Sequence, residues 1–285
     1  MLQKLEPHKK NLGEFVVSRY LPQAKQKMVG PFIFFDHLAS VDFEPGQGIN
    51  VRPHPHIGLS TITYLFEGSI LHRDSLGNSQ EIFPGDVNWM TAGSGIVHSE
   101  RETHEVRDSK HSLRALQTWV ALPEDKKDID PNFVHVGKED LPCIYEEGKR
   151  IRLIAGEAYG EKSPLKTYAD MFYLDAILEQ DSVLDLPFDD SEVAVFIISG
   201  QIEVGSDSFG QDDFVVVNDK TMEIRAKTYA RVMILGGKKF ERQPLIDWNF
   251  VAWSKEEIEA AKQRWKQGEF PSVPGDDREY IPLPK

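Results

Sequence analysis

Apolar residues along this chain come in short alternating or continuous runs, each cut by Gly, Pro, Asp or Asn. A period of two residues with frequent turn formers is the pattern of antiparallel strands rather than of helices. In the first half the runs predict strands over 59–66, 70–73, 87–90 and 116–121. Asp74-Ser75-Leu76-Gly77-Asn78 has the composition of a hairpin tip, and Pro84-Gly85-Asp86 that of a tight turn. In the second half, strands are predicted over 152–155, 171–178, 193–198, 201–204, 214–217 and 230–235.

The two series echo each other. Tyr64-Leu65-Phe66-Glu67-Gly68-Ser69-Ile70 parallels Phe196-Ile197-Ile198-Ser199-Gly200-Gln201-Ile202, which points to an internally duplicated barrel. Between the series, residues 122–147 are charged and Pro-bearing, as a connection would be. The expected organisation is an all-β chain with an N-terminal barrel over 1–135 and a second barrel over 136–285. One helix is predicted near the end, where Ser254-Lys255-Glu256-Glu257 forms a capping box ahead of Ile258, Ala261 and Trp265, and Gly268 ends it. The Pro-rich stretch from Phe270 to Lys285 is expected to wander over the surface.

Composition narrows the function classes. At 285 residues, 40% hydrophobic and 28% charged, the chain can bury a large core without staples. A formal net charge of −13 with no Lys/Arg cluster argues against direct nucleic-acid binding. The single cysteine, Cys143, excludes an internal disulfide and an all-Cys zinc site, and packing is its expected role. No apolar leader or run long enough to span a bilayer is present, so a cytoplasmic monomer that does not enter a membrane is the expectation. CxxC, Walker A and GxGxxG patterns are missing, which leaves histidine as the carrier of chemistry.

His54-Pro55-His56 places two imidazoles at i and i+2, and in an extended segment that spacing puts both on one face. His98-Ser99-Glu100 repeats the device with an imidazole and a carboxylate, after the Gly-rich run Thr91-Ala92-Gly93-Ser94-Gly95 that permits close backbone approach. Brought together, the two pairs supply three nitrogen donors and one oxygen anion, a set suited to Fe, Mn, Co, Ni, Cu or Zn. All nine histidines lie at or before His135, so only the first barrel can hold such a site. His72 is read as a hydrogen-bonded strand histidine, and His37 and Glu67 receive no role. His104, His111 and His135, among polar neighbours, are read as solvated.

These segments resemble a known family. His54-Pro55-His56-Ile57-Gly58, Thr63-Tyr64-Leu65-Phe66-Glu67-Gly68, His72-Arg73-Asp74-Ser75-Leu76-Gly77-Asn78 and the run from Pro84 to Glu100 are similar to the signature of pirins, within the cupin superfamily. The likeness extends from near Gly30 to at least Gly160, including Leu116 to Pro123 and Leu153 to Ala158; beyond it the chain matches as a degenerate second barrel. The resemblance implies a bicupin with one metal, usually iron, on His54, His56, His98 and Glu100. Where the wider cupin pattern has a further Glu after the His pair, this chain has Ser60 and Thr61, and Thr91-Ala92-Gly93 replaces the later Pro-x-Gly. Glu100 is therefore the only carboxylate assigned.

Bacterial pirins are associated with quercetin 2,3-dioxygenase activity. That resemblance implies flavonol and O2 as substrates, one divalent metal, foremost Fe(II), acting as Lewis acid on the 3-hydroxyl, and Glu100 as the base that takes its proton. Animal pirins are linked to transcriptional regulation through protein partners. A metal- or redox-responsive binding role is the alternative, and no basic localisation tract supports it, since Lys9-Lys10 and Lys126-Lys127 are mere pairs.

Overall fold

The computed structural model describes residues 2–187, 190–218 and 223–284. The chain forms two compact units, each built from interleaved segments: one from Met1–Pro7, Pro22–Phe32 and Glu139–Phe240, the other from His8–Leu21, Ile33–Lys138 and Glu241–Lys285. One crossing between the units thus falls at Lys138/Glu139, near the change of texture in the sequence. The chain ends do not follow a linear cut. Glu241–Lys285, with its helix, joins the unit that carries the histidines.

In the histidine-bearing unit, seven strands lie in the order Asn132–Val136, Val87–Thr91, Leu59–Glu67, His111–Ala121, Phe32–Phe43, Val16–Leu21, His8–Asn11. A smaller sheet runs Asn50–His56, Ile96–Arg101, Ile70–Asp74, Ser79–Ile82. Leu245–Asp247 and Phe250–Ala252 form a separate hairpin. All of these pairings are antiparallel, as the alternating pattern requires.

The other unit has a main sheet ordered Leu2–Leu5, Phe214–Val217, Glu192–Ser199, Ala230–Gly237, Met171–Leu178, Lys149–Ala158, Cys143–Glu146, with Glu161–Lys162 paired to Lys149–Ala158. Its smaller sheet runs Val183–Asp185, Glu223–Ala226, Gln201–Val204, Asp207–Gly210. The echo in the sequence is structural. Leu59–Glu67 lies between Val87–Thr91 and His111–Ala121, as Glu192–Ser199 lies between Phe214–Val217 and Ala230–Gly237. The second interior is closed by aliphatic side chains such as Val195, Ile202, Val215, Ile224 and Ile234.

The all-β class with a short C-terminal helix is the architecture adopted. Lys255–Lys266 is capped by Ser254 and Glu257 in a reciprocal box, and its buried residues Ile258 and Ala261 pack with Val97, Phe250, Phe270 and Val273. No helix among the described residues is long and apolar enough to cross a membrane. The stretch from Phe270 onward departs from expectation: Phe270 and Val273 are buried, and Ile281 N donates to Pro53 O at 2.8 Å. Its prolines removed helix and strand signals from the sequence without preventing it from packing.

Candidate metal centre

Asn50–His56 is an edge strand of the smaller sheet, the one place where a sheet tolerates prolines that cannot donate to the ladder. Its neighbour Ile96–Arg101 sets His98 directly opposite His54 and Ile96 opposite His56. Alternation then brings three imidazoles to one face. The register shifts between His98 and Glu100, so Glu100 faces Val51 rather than continuing the ladder evenly.

The three rings converge. Their centroids lie 4.4 Å (His54–His98), 5.0 Å (His54–His56) and 5.0 Å (His56–His98) apart. Among the described residues, His54, His56 and His98 form the group of His, Cys, Asp or Glu whose ligand atoms all lie within 4.8 Å of one another. Glu100 is outside that tight group. Its carboxylate lines the same cavity as His54 and His56, with Oε1 3.4 Å from Thr63 Oγ1.

All three histidines are buried, and burial holds them neutral: His54 is pushed down to about 4, and His56 and His98 well below the usual imidazole range. Neutral imidazole is the form that ligates a metal. Backbone carbonyls orient two of the rings: His54 Nδ1 donates to Arg52 O at 2.9 Å and His56 Nδ1 to Asn249 O at 3.0 Å. Each bond leaves Nε2 as the lone-pair nitrogen. His56 Nε2 then stands 3.1 Å from His98 Nε2, while His98 Nδ1 is buried without a hydrogen-bond partner among the described residues. Buried nitrogens gathered so closely fit a shared cation far better than one another. The donor set fits a borderline transition metal.

Burial likewise raises the Glu100 carboxyl, to about 7, although the Thr63 hydroxyl partly offsets it. His72, opposite Glu100 in register, is hydrogen-bonded as expected: Nε2 meets Asp74 Oδ2 at 3.0 Å and the ring stacks on Phe133 at 4.2 Å. Asp74 in turn accepts from the Leu76 and Asn78 backbone amides, closing the predicted hairpin tip. His37 is buried and His104 exposed. His111 is not solvated as expected. Its Nε2 pairs with Glu102 Oε1 at 3.0 Å, because the strand returns it to a carboxylate nine residues earlier. His135 Nδ1 meets Asn88 Oδ1 at 2.7 Å.

Beside the histidines lies a cavity of about 380 Å³, mostly apolar, walled by Phe34, Ala115, Trp119, Trp248 and Ile281 among others. Phe34 stacks on Trp119 at 3.9 Å, and Trp119 meets the His56 ring edge to face at 5.0 Å. Arg19 caps Phe34 at 4.3 Å and is held bidentately by Asp36, both bonds 2.8 Å. Ala115, Gln117 and Trp119 alternate along the strand His111–Ala121 and share one face of it. Trp248, Asn249 and Ile281 carried no such signal, for they reach the site only through the returning C-terminal segment. The glycine run acts nearby: at Gly93, with φ +51°, a Cβ would stand 1.9 Å from Ile129 O.

Comparison with known proteins adds the family context. The family model described as Pirin matches residues 14–120, and the Pirin C-terminal cupin domain matches 173–271. A pirin-like protein of Caulobacter vibrioides is 44% identical over 284 residues, covering 98% of each chain. A Pseudomonas aeruginosa protein named "putative quercetin 2,3-dioxygenase" is 39% identical over 260 residues, covering 90% of this chain and 81% of its own. The crystal structure of a quercetin 2,3-dioxygenase from Acinetobacter baumannii superposes with a TM-score of 0.91 at 33% identity, covering 100% of this chain and 95% of that one.

Proposed function

This chain belongs to the pirin family, and from that premise we propose that it is a metal-dependent dioxygenase that opens a flavonol-type substrate with O2. The observation that carries the reading is the convergence of three buried, neutral imidazoles, two of which, His54 and His56, line a largely apolar cavity. His54, His56 and His98 would hold the ion, with Glu100 as its carboxylate. Iron(II) is the proposed metal, and the same donors accept other first-row ions. When bound, the metal supplies Lewis acidity toward an acidic hydroxyl and redox chemistry toward O2.

The rest is done by the chain itself. Glu100, lifted toward neutrality by burial, takes the hydroxyl proton as the substrate enters. Asn249 O holds His56 in the tautomer that faces inward. Phe34 and Trp119 offer aromatic surface to a planar ring. The apolar lining limits water around a charged phenolate. The relatives named as quercetin dioxygenases support the substrate class.

Metal analysis of protein purified without added metal, paired with a flavonol assay started by admitting air, tests this reading. One metal per chain and flavonol loss by wild type are expected, with turnover reduced at least 100-fold in Glu100→Gln while metal is partly retained. Equal turnover by the two proteins excludes Glu100 as the base. Iron-loaded wild type without turnover overturns the enzymatic reading.

A further inference from the structure

Gln117 is a polar residue of the cavity wall that the metal chemistry leaves unused. It lies between Ala115 and Trp119 on the inward face of His111–Ala121, and all three line the cavity. The register sets it opposite Thr63, whose hydroxyl donates to Gln117 Oε1 at 2.8 Å. Thr63 Oγ1 is in turn 3.4 Å from Glu100 Oε1, so the amide stands one hydroxyl away from the carboxylate. With Oε1 engaged, the Nε2 donors have no hydrogen-bond partner among the described residues.

Gln117 is half-buried and lines the open cavity, so an apolar ring that fills the cavity leaves its donors stranded at a cost unless that ring brings an acceptor. The other unit shows what this position holds when the interior only packs. Val195 stands where Thr63 does, and its partner across the pair is the fully buried Ile234. Arg19, the cation in the wall, is already committed to Asp36 through two bonds.

We infer that Gln117 determines specificity. Its amide donates to an acceptor oxygen of the substrate next to the hydroxyl that approaches Glu100. The site therefore selects planar aromatics carrying a hydroxyl beside a carbonyl over aromatics carrying a hydroxyl alone. This rests on the proposed function for the orientation of that hydroxyl; the recognition itself is hydrogen bonding by the Gln117 amide beside it.

The test is equilibrium binding to the full chain under argon, read by tryptophan fluorescence, with 3-hydroxychromone and 2-naphthol as probes. Gln117→Met keeps length and removes the donors. It is expected to weaken 3-hydroxychromone about tenfold and to change 2-naphthol less than twofold. Gln117→Leu repeats the measurement if the Met variant fails to fold. Independently of any variant, metal-free wild type is expected to keep a preference for 3-hydroxychromone, because the preference then owes nothing to chelation. Equal losses on both probes, no loss on either, or a preference that vanishes with the metal overturns the role of Gln117 and leaves the proposed function standing. Metal-loaded wild type that binds neither probe overturns both.

Discussion

Two barrel interiors in this chain share a pairing scheme and differ in what fills it. Thr63 is flanked by Asn88 and Gln117, and at the corresponding place Val195 is flanked by Val215 and Ile234. Glu100 faces His72 across its pair, and Ile224 faces Val204. Every one of the second set is fully buried and aliphatic. At these positions the fold therefore closes without a polar residue. Those in the histidine-bearing unit are kept against the cost of desolvation, which is the physical mark of a site rather than of a core.

The sharpest way to break this comparison is to put the site's carboxylate into the packed interior. Ile224→Glu should destabilise the protein by about 4 kcal/mol, because an aliphatic core offers the new carboxyl no partner. It should also gain no metal affinity. Denaturant unfolding followed by metal titration checks both; a cost under about 1 kcal/mol would mean that the two interiors are not as different as they look.

The converse change removes the charge from the site. Burial lifts the Glu100 carboxyl from 4.5 to about 7, so in metal-free protein the folded state holds a proton between those values that the unfolded state has released. Its contribution is present in full below pH 4.5 and is lost as pH rises through 7. Wild type should thus lose stability relative to Glu100→Gln across that window, by about 3 kcal/mol, read from paired melting curves. Parallel curves at all pH values would refute it.

The smallest effect compares two arginines at matching register. Arg101, paired across to Leu71, donates to Asp276 at 2.6 and 2.8 Å and to Glu279 at 3.0 Å, fastening the C-terminal segment. Arg225, paired across to Glu203, is 46% exposed and stands 3.7 Å from Glu223. Arg101→Ala should cost about 1–2 kcal/mol and Arg225→Ala less than about 0.5, measured by denaturant midpoint. Equal costs would show that the C-terminal segment is not held by this clamp.

Much of this architecture is legible in the sequence. Strand period and turn residues located 171–178, 201–204 and 214–217 to the residue, and the capping box located the helix. The long strand Phe32–Phe43 was harder, because its continuous aromatic run carries no alternation. The partial burial of His111 is not legible in the sequence, because its partner, Glu102, is set by the fold and not by sequence neighbours.

The sequence by itself determined which side chains can share a face: His54 with His56, and His98 with Glu100, follow from a two-residue period that any extended backbone obeys. Tertiary structure alone decided that three of them meet within 4.8 Å while the carboxylate stands apart, since a register shift between His98 and Glu100 is a property of the pairing. It also decided that Asn249 O orients His56 and that Trp248 and Ile281 wall the cavity. Those contacts join residues nearly two hundred positions apart or more, and no local pattern encodes them, because they arise only when burial brings distant segments together.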